Sequence, residues 1–222
     1  MIANIPKGKA DLHNHTVASD GLLTPTKLIE YAAQKGLQAA AITDHDSTDG
    51  IAEGLKAGEK YNVYVVPGIE LNTQLNNHEV HILGYFIDIH FPEMQEILTK
   101  IREVRKSRGE KMVSNLTTMY GFDINYKEVL AQAKEGGVGR SHIGRVLVEK
   151  GYVREVGEAF EKYLGTDCPA YVSRYKLTTE EGIDLIIRAG GVPVLAHPGL
   201  LKDQSLINAI LDMGIRGIEA FH

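Results

Sequence analysis

T-P-T-K-L-I-E-Y-A-A-Q-K-G-L-Q-A-A-A-I-T-D-H-D, Thr24 to Asp46, holds one complete unit of the fold. Thr24 and Pro25 suit the N-cap and first turn of a helix. Leu28, Ile29, Ala32 and Ala33 give that helix one apolar face, and Gly36 ends it. Leu37 to Thr43 is then an almost continuous apolar strand, and Asp44-His45-Asp46 follows directly. The same order of helix, glycine, strand and polar residue returns twice. A helix from Thr179 stops at Gly190-Gly191, the strand Val192 to Ala196 follows, and His197 comes next. A helix capped by Asp203 stops at Gly214, and the strand Ile215 to Ala220 carries Glu219, with His222 after it. Tyr61 to Ile69, leading into Glu70, and Glu79 to Phe86, carrying His81, fit the scheme as further strands.

Strands apolar on both faces and alternating with helices indicate an α/β fold with a helix-covered parallel sheet. Polar residues at successive strand ends are what a (β/α) barrel offers at its rim. Upstream, D-L-H-N-H-T-V-A-S-D-G, Asp11 to Gly21, adds His13, His15 and Asp20. Alternation along an extended chain puts His13 and His15 on one side. Imidazole and carboxylate are ordinary ligands of Zn, Mn and Fe. His13, His15, Asp20, His45, Glu70, His81 and His197 therefore form one candidate metal set, and the leading function is metal-dependent hydrolysis. His78 and His90 have no such placement and read as solvated loop residues.

Residues 92–177 break the rhythm. Met94, Ile97, Leu98, Ile101, Val104, Met112, Leu116 and Met119 keep helical spacing over a long run. Asn125 to Glu128 resembles a capping box for a second helix ending at Gly136-Gly137, and Ser141 suits the cap of a third. The chain thus divides into a barrel, 1–91 and 178–222, and a helical insertion, 92–177, expected to cover the site. Lys100, Arg102, Arg105, Lys106, Arg108 and Lys111 are interleaved with Glu96, Glu103 and Glu110, the pattern of a solvated helix face rather than an RNA-binding one.

Composition sets limits. The 222 residues carry a formal net charge of −5, which argues against a general nucleic-acid coat protein but not against a small anionic substrate beside metals. Cys168 is the single cysteine, so neither a disulfide framework nor a thiolate zinc site is available. With no charged-then-apolar leader and no spanning apolar run, the expectation is a cytoplasmic protein with no membrane contact.

The combination D-L-H-N-H-T with S-D-G, then I-T-D-H-D, P-G-I-E (Pro67 to Glu70), the His81 strand and A-H-P (Ala196 to Pro198) resembles the polymerase and histidinol phosphatase (PHP) family. Its first motif and helical insertion look most like small stand-alone bacterial members acting on nucleoside phosphates and short RNA. The resemblance implies a distorted seven-stranded (β/α) barrel and two or three divalent transition metals, Mn, Fe or Zn. On it, His13, His15 and Glu70 hold one metal, Asp20 and His45 a second, and Glu70 bridges to a third with His81, while His197 joins from the opposite side. Metal-activated hydroxide would then attack the phosphate ester, with His15, His45 and Glu70 the residues most needed for turnover.

R-S-H-I-G-R, Arg140 to Arg145, matches a family Arg-x-His, so Arg140 and His142 are assigned to the substrate phosphate; a plain helix cap with solvated neighbours is the alternative. Asp44 and Asp46 flank His45 and could orient an imidazole or cap the next helix. The family normally continues into a strand with an Asp-x-His motif, which this sequence lacks after His197. The C-terminal part of the barrel is therefore expected to be missing, with Glu219 and His222 as candidate substitutes. A nucleotide, such as a nucleoside 3′,5′-bisphosphate, or short RNA is the expected substrate. Histidinol phosphatase activity and a metal-binding module without turnover are the alternatives.

Overall fold

A computed structural model describes residues 8–133, 138–173, 176–201 and 203–220. They fall into two compact units, Met1–Leu98 with Lys176–His222, and Thr99–Tyr175.

The first unit is a curled mixed sheet with helices. Its elements are β1 (Ala10–Asp11), α1 (Pro25–Gln34), β2 (Ala39–Ile42), α2 (Ile51–Tyr61), β3 (Tyr64–Leu75) and β4 (His78–Tyr85). The long helix α3 (Pro92–Tyr120) begins here and runs on into the second unit. Within the second unit come α4 (Tyr126–Ala133), α5 (Arg140–Glu149) and α6 (Val156–Ala159), the last continued by a π-helical turn to Leu164. The chain returns to the first unit with β5 (Leu177–Thr178), α7 (Thr179–Arg188), β6 (Val192–Leu195), α8 (Leu206–Asp212) and β7 (Gly217–Ile218).

The strands lie in the order β1-β2-β3-β4-β6-β7, with β5 paired to β3. Pairing is parallel for β1-β2, β2-β3, β3-β5 and β6-β7, as the helix-strand alternation requires. β4, however, is antiparallel to both β3 and β6. The all-parallel expectation fails there because β3 and β4 are joined by Asn76-Asn77, both left-handed (φ 47° and 66°). Two such residues make a tight hairpin, and a hairpin cannot connect parallel strands. His78 opens β4 rather than lying in a loop.

Local signals explain the helices of this unit. Thr24 accepts the Lys27 N–H at the start of α1. α7 starts at Thr179 as expected, and Thr178 before it forms a reciprocal capping box with Glu181. Asp203 lies two residues ahead of the α8 cap and instead binds Ser205 through its carboxylate. Ile29, Ile42, Ile51, Ile69, Leu71, Ile82 and Leu83 are fully buried. All four residues of β2 are buried, as expected of a strand covered on both faces.

The second unit has its own apolar core of Met112, Leu116, Val129, Ile143, Leu147, Ala159 and Leu164, with Tyr120, Phe122, Tyr152 and Tyr163 packed against it. Asn125 and Glu128 form the expected capping box on α4. Its expected stop at Gly136-Gly137 lies outside the described residues. The N-cap of α5 is Gly139 rather than Ser141; the His142 Nδ1 three residues on accepts the Gly139 N–H at 2.9 Å. Arg108 also departs from the solvated-face reading. It is buried, donates from Nε to the Val172 carbonyl at 2.5 Å and lies over the Tyr171 ring. Among the described residues no helix is long and apolar enough to cross a membrane.

Candidate metal centre

Six strands of the first unit carry the candidate ligands, either within the strand or directly after it. His13 and His15 follow β1, His45 follows β2, Glu70 lies within β3, His81 lies within β4, His197 follows β6 and Glu219 follows β7. His45 is held beside Glu70 by the backbone itself. The Glu70 N–H binds the Asp44 carbonyl, the Asp46 N–H binds the Glu70 carbonyl, and the two residues form a parallel bridge. The strand β3 thus runs past Glu70 instead of ending at it.

Glu70 is the hub. Its Oε2 lies 3.1 Å from His13 Nε2, 3.1 Å from His15 Nε2 and 3.2 Å from His45 Nδ1. Its Oε1 lies 2.8 Å from His81 Nδ1 and 2.9 Å from His197 Nε2. The five imidazoles close a ring around it: neighbouring centroids from His13 through His15, His45, His81 and His197 back to His13 are 4.6–5.8 Å apart. Asp20 stands at the margin, 3.6 Å from His15 Nδ1 and 3.9 Å from His45 Nε2.

The electrostatics are correspondingly extreme. Burial alone would raise the Glu70 carboxyl, but hydrogen bonds from His13, His15, His197 and His81 outweigh it and hold the group far below the usual carboxylate range. Burial pushes His45 down to about 4, with Glu70 opposing and His15 adding to the effect. Burial also works against the His81 cation, yet Glu70 and Glu79 overcome it and push that imidazole up to about 9. His13 is raised in the same way, burial being outweighed by Glu70 and Glu219.

Two observations say that this donor set suits cations. A carboxylate offers about four lone-pair positions, yet five ring nitrogens converge on it. Moreover, His13 Nε2 and His15 Nε2 face each other at 3.1 Å, and among the described residues the buried His15 Nδ1 has no hydrogen-bond partner. Nitrogens aimed at one another and at one carboxylate are what metal ligation would satisfy. Three overlapping groups have donor atoms within 4.8 Å of one another: His13, His15 and Glu70; His15, Asp20 and His45; and His45, Glu70 and His81.

The structure thus gathers His13, His15, Asp20, His45, Glu70, His81 and His197 in one place. Glu219 is there too, with Oε1 3.0 Å from His13 Nδ1 and Oε2 accepting the His197 N–H at 2.6 Å. His222 lies outside the described residues. Arg140 and His142 belong to the other unit, where Arg140 Nη1 donates to the Leu164 carbonyl and its guanidinium lies over Phe160 and Tyr171.

Asp44 and Asp46 neither cap α2, whose N-cap is Gly50, nor do the same job. Buried Asp44 accepts the Thr16 N–H and hydroxyl at 2.7 Å and the Ser19 hydroxyl at 2.6 Å, fixing the loop that carries His15 and Asp20. That loop is tight: a Cβ on Gly21 would sit 2.2 Å from the His15 carbonyl oxygen. Asp46, left-handed at φ 48°, accepts the Asn72 N–H and side-chain amide, and that amide lies 3.3 Å from His45 Nδ1.

Sequence reasoning missed Asn72, Glu79, Thr16 and Ser19. The first two were within reach, because each sits two residues from a singled-out ligand on the same strand, hence on the same face.

The PHP domain profile matches residues 11–166. The chain is 40% identical over 193 residues to the 5′-3′ exoribonuclease Rnm of Salmonella typhimurium, covering 85% of this chain and 65% of that protein. It is 36% identical over 190 residues to the 3′,5′-nucleoside bisphosphate phosphatase of Chromobacterium violaceum, covering 85% and 66% respectively. The chain therefore spans just under two thirds of the length of these curated relatives. A crystal structure of a proposed metal-dependent phosphoesterase from Bifidobacterium adolescentis superposes with a TM-score of 0.87 at 32% identity, over 98% of this chain and 78% of that one.

Proposed function

The chain belongs to the PHP-domain family, and on that premise we propose that it is a metal-dependent phosphoesterase releasing phosphate from nucleoside 3′,5′-bisphosphates or from the ends of short RNA. The observation that carries the reading is the convergence of five imidazoles from four separate segments on the one carboxylate of Glu70. Two or three ions of Mn, Fe or Zn are proposed, held by His13, His15, Asp20, His45, Glu70, His81 and His197. Bound by these residues, such ions would supply a hydroxide nucleophile near neutral pH and offset negative charge at the phosphate.

The protein's own part is placement. Glu70 ties all five imidazoles to one point, Asp44 fixes the loop bearing His15 and Asp20, and the 44–46 bridge seats His45. Arg140 and His142 are proposed for the substrate phosphate; the support is the Arg-x-His pattern at the start of α5, where a guanidinium beside a helix N-terminus suits an anion. The nucleotide substrate is supported by the two relatives above, whose names specify RNA and nucleoside bisphosphates. A cytoplasmic setting is part of the proposal, supported by the lone thiol of Cys168.

The test is phosphate release from nucleoside 3′,5′-bisphosphates, nucleoside monophosphates, a 5′-phosphorylated oligoribonucleotide and histidinol phosphate. It is run after chelation and again after adding back Mn, Fe or Zn. Turnover of the bisphosphate or RNA, lost on chelation and restored by metal, is the expected result. Full activity in chelated protein would sink the mechanism, and preference for histidinol phosphate would replace the substrate class.

A further inference from the structure

Two of the five imidazoles facing Glu70 are gripped from behind by second carboxylates, and they are gripped at opposite ends of the ring. His13 turns Nε2 towards Glu70 and His15, while its Nδ1 lies 3.0 Å from Glu219 Oε1. His81 turns Nδ1 towards Glu70, while its Nε2 lies 3.1 Å from Glu79 Oε1. An ionised carboxylate only accepts hydrogen bonds, so each outer nitrogen is held as a donor, and it is the inner nitrogen, facing Glu70, that would give up its proton and offer its lone pair to a metal bound there. We infer that Glu219 and Glu79 are positioning residues that impose opposite tautomers, so that His13 ligates through Nε2 and His81 through Nδ1. This rests on the metal reading above.

Both carboxylates have their second oxygen committed as well, which marks them as clamps rather than ligands. Glu219 Oε2 accepts the His197 N–H at 2.6 Å. His197 is a non-glycine residue at φ 27°, a backbone conformation that needs holding, so Glu219 fixes His13 by its ring and His197 by its backbone. Glu79 Oε2 lies 3.2 Å from Lys176 Nζ, just ahead of β5. Glu79 and His81 are two residues apart on β4 and share a face, so this clamp is local, whereas Glu219 reaches across from β7. Among the described residues, neither carboxylate joins the donor groups within 4.8 Å of one another.

The opposed pairs make glutamine a sharp probe. Each carboxylate serves one donor per oxygen, and an amide has one acceptor oxygen, so Glu219→Gln or Glu79→Gln cannot serve both of these partners. Zn²⁺-loaded protein is studied by ¹⁵N–¹H correlation of the imidazole rings, alongside Zn²⁺ affinity by chelator competition. The wild type should show His13 protonated on Nδ1 and His81 on Nε2. Glu219→Gln should disturb the His13 ring signals, leave those of His81 in place and weaken Zn²⁺ by about 10–100-fold. Glu79→Gln should do the reverse, so each variant controls for misfolding of the other. His13 and His81 protonated at the same ring nitrogen, or Zn²⁺ bound equally by wild type and both variants, overturns this inference alone. A wild-type protein that binds no Zn²⁺ overturns the phosphoesterase reading with it.

Discussion

The two compact units solve the folding problem in opposite ways. The sheet unit buries Thr16, Thr43, Asp44, Asp46, Glu70, Asn72 and Thr73 along with its aliphatic residues. Short hydrogen bonds tie Thr16 to Asp44, Asn72 to Asp46 and Thr73 to the Val80 carbonyl. The helical unit is built around a continuous apolar core, with stacked aromatic rings at its edge: Phe122 lies 4.3 Å from Tyr152 and 5.7 Å from Tyr120, centroid to centroid. Buried polar groups cost free energy unless every partner is present, whereas aliphatic packing contributes wherever water is excluded. The sheet unit therefore spends stability on its polar cluster, and the helical unit draws its stability from apolar packing. Metals should matter to the first and be nearly irrelevant to the folding of the second.

The strongest way to break this contrast is at the hub. Glu70→Gln removes the charge to which His13, His15, His45, His81 and His197 all point. Turnover should fall by several powers of ten and metal content should drop, because the set loses its shared anionic ligand. Phosphate release and elemental analysis of the purified variant check this; a variant with near-parental rates would mean that the cluster is not the site. The matching lesion in the helical unit is Leu116→Ala, at a fully buried core residue of α3. It should cost about 2–5 kcal/mol of stability through lost burial and a cavity. Metal stoichiometry should stay at the parental value. Denaturant unfolding alongside metal analysis tests the pair, and metal loss matching that of Glu70→Gln would erase the distinction.

The sequence exposed the sheet unit's site far better than it exposed the geometry around it. His45, His81 and His197 were legible because each is attached to a short apolar run, and strand periodicity and strand ends place such residues predictably. The antiparallel course of β4 was not. Asn76-Asn77 lacks the Asn-Gly form that marks a two-residue hairpin most strongly, and both residues adopt φ > 0 only in the folded context. The contact of Glu219 with His13 was not legible either, because it spans 206 positions and no local pattern encodes it. In the helical unit the capping box at Asn125 was readable from four adjacent residues. The Ser141 cap was misplaced because serine is the stronger N-cap former, yet Gly139 takes the position, with His142 supplying the acceptor. Buried Arg108 was hidden inside a charged run that looks uniformly solvated.

Acidity gives a further, smaller separation. Burial works to lower the His81 imidazole in the metal-free fold, but Glu70 and Glu79 outweigh it and push the ring up to about 9. Its folded value lies above the ordinary 6.5, so its charge stabilises the metal-free fold below pH 6.5 and that contribution is lost as pH rises through 9. A metal needs the neutral ring and must displace this proton. Apparent metal affinity should therefore rise by about tenfold per pH unit for one displaced proton and level off above pH 9. His45 runs the other way. Pushed down to about 4, it is neutral throughout this range and offers no proton competition, and its stabilising contribution is lost only as pH falls from 6.5 through 4. Chelator competition between pH 7 and 9.5 reads the first effect; affinity already flat from pH 7 would contradict the assigned environment of His81. The helical core contributes nothing to such a profile.

The smallest expected effects come from the two capping boxes, one in each unit, and they are the cleanest control on the comparison. Thr178 and Glu181 close α7 in the sheet unit, and Asn125 and Glu128 close α4 in the helical unit. Both boxes are solvent-exposed and do the same work: they satisfy N–H groups that the first turn of a helix leaves without intrahelical partners. Thr178→Ala and Asn125→Ala should each cost about 0.5–2 kcal/mol, since the lost hydrogen bond is the same in kind. Their consequences should nevertheless differ once metal is present. Metal bound to the native sheet unit adds stabilisation by mass action, because the unfolded chain holds no preformed site. Added Zn²⁺ should thus offset the Thr178→Ala loss in thermal unfolding and leave the Asn125→Ala loss in place. Equal rescue of both variants would mean that the two units unfold as one cooperative body, and the division of labour drawn from their cores would have to be abandoned.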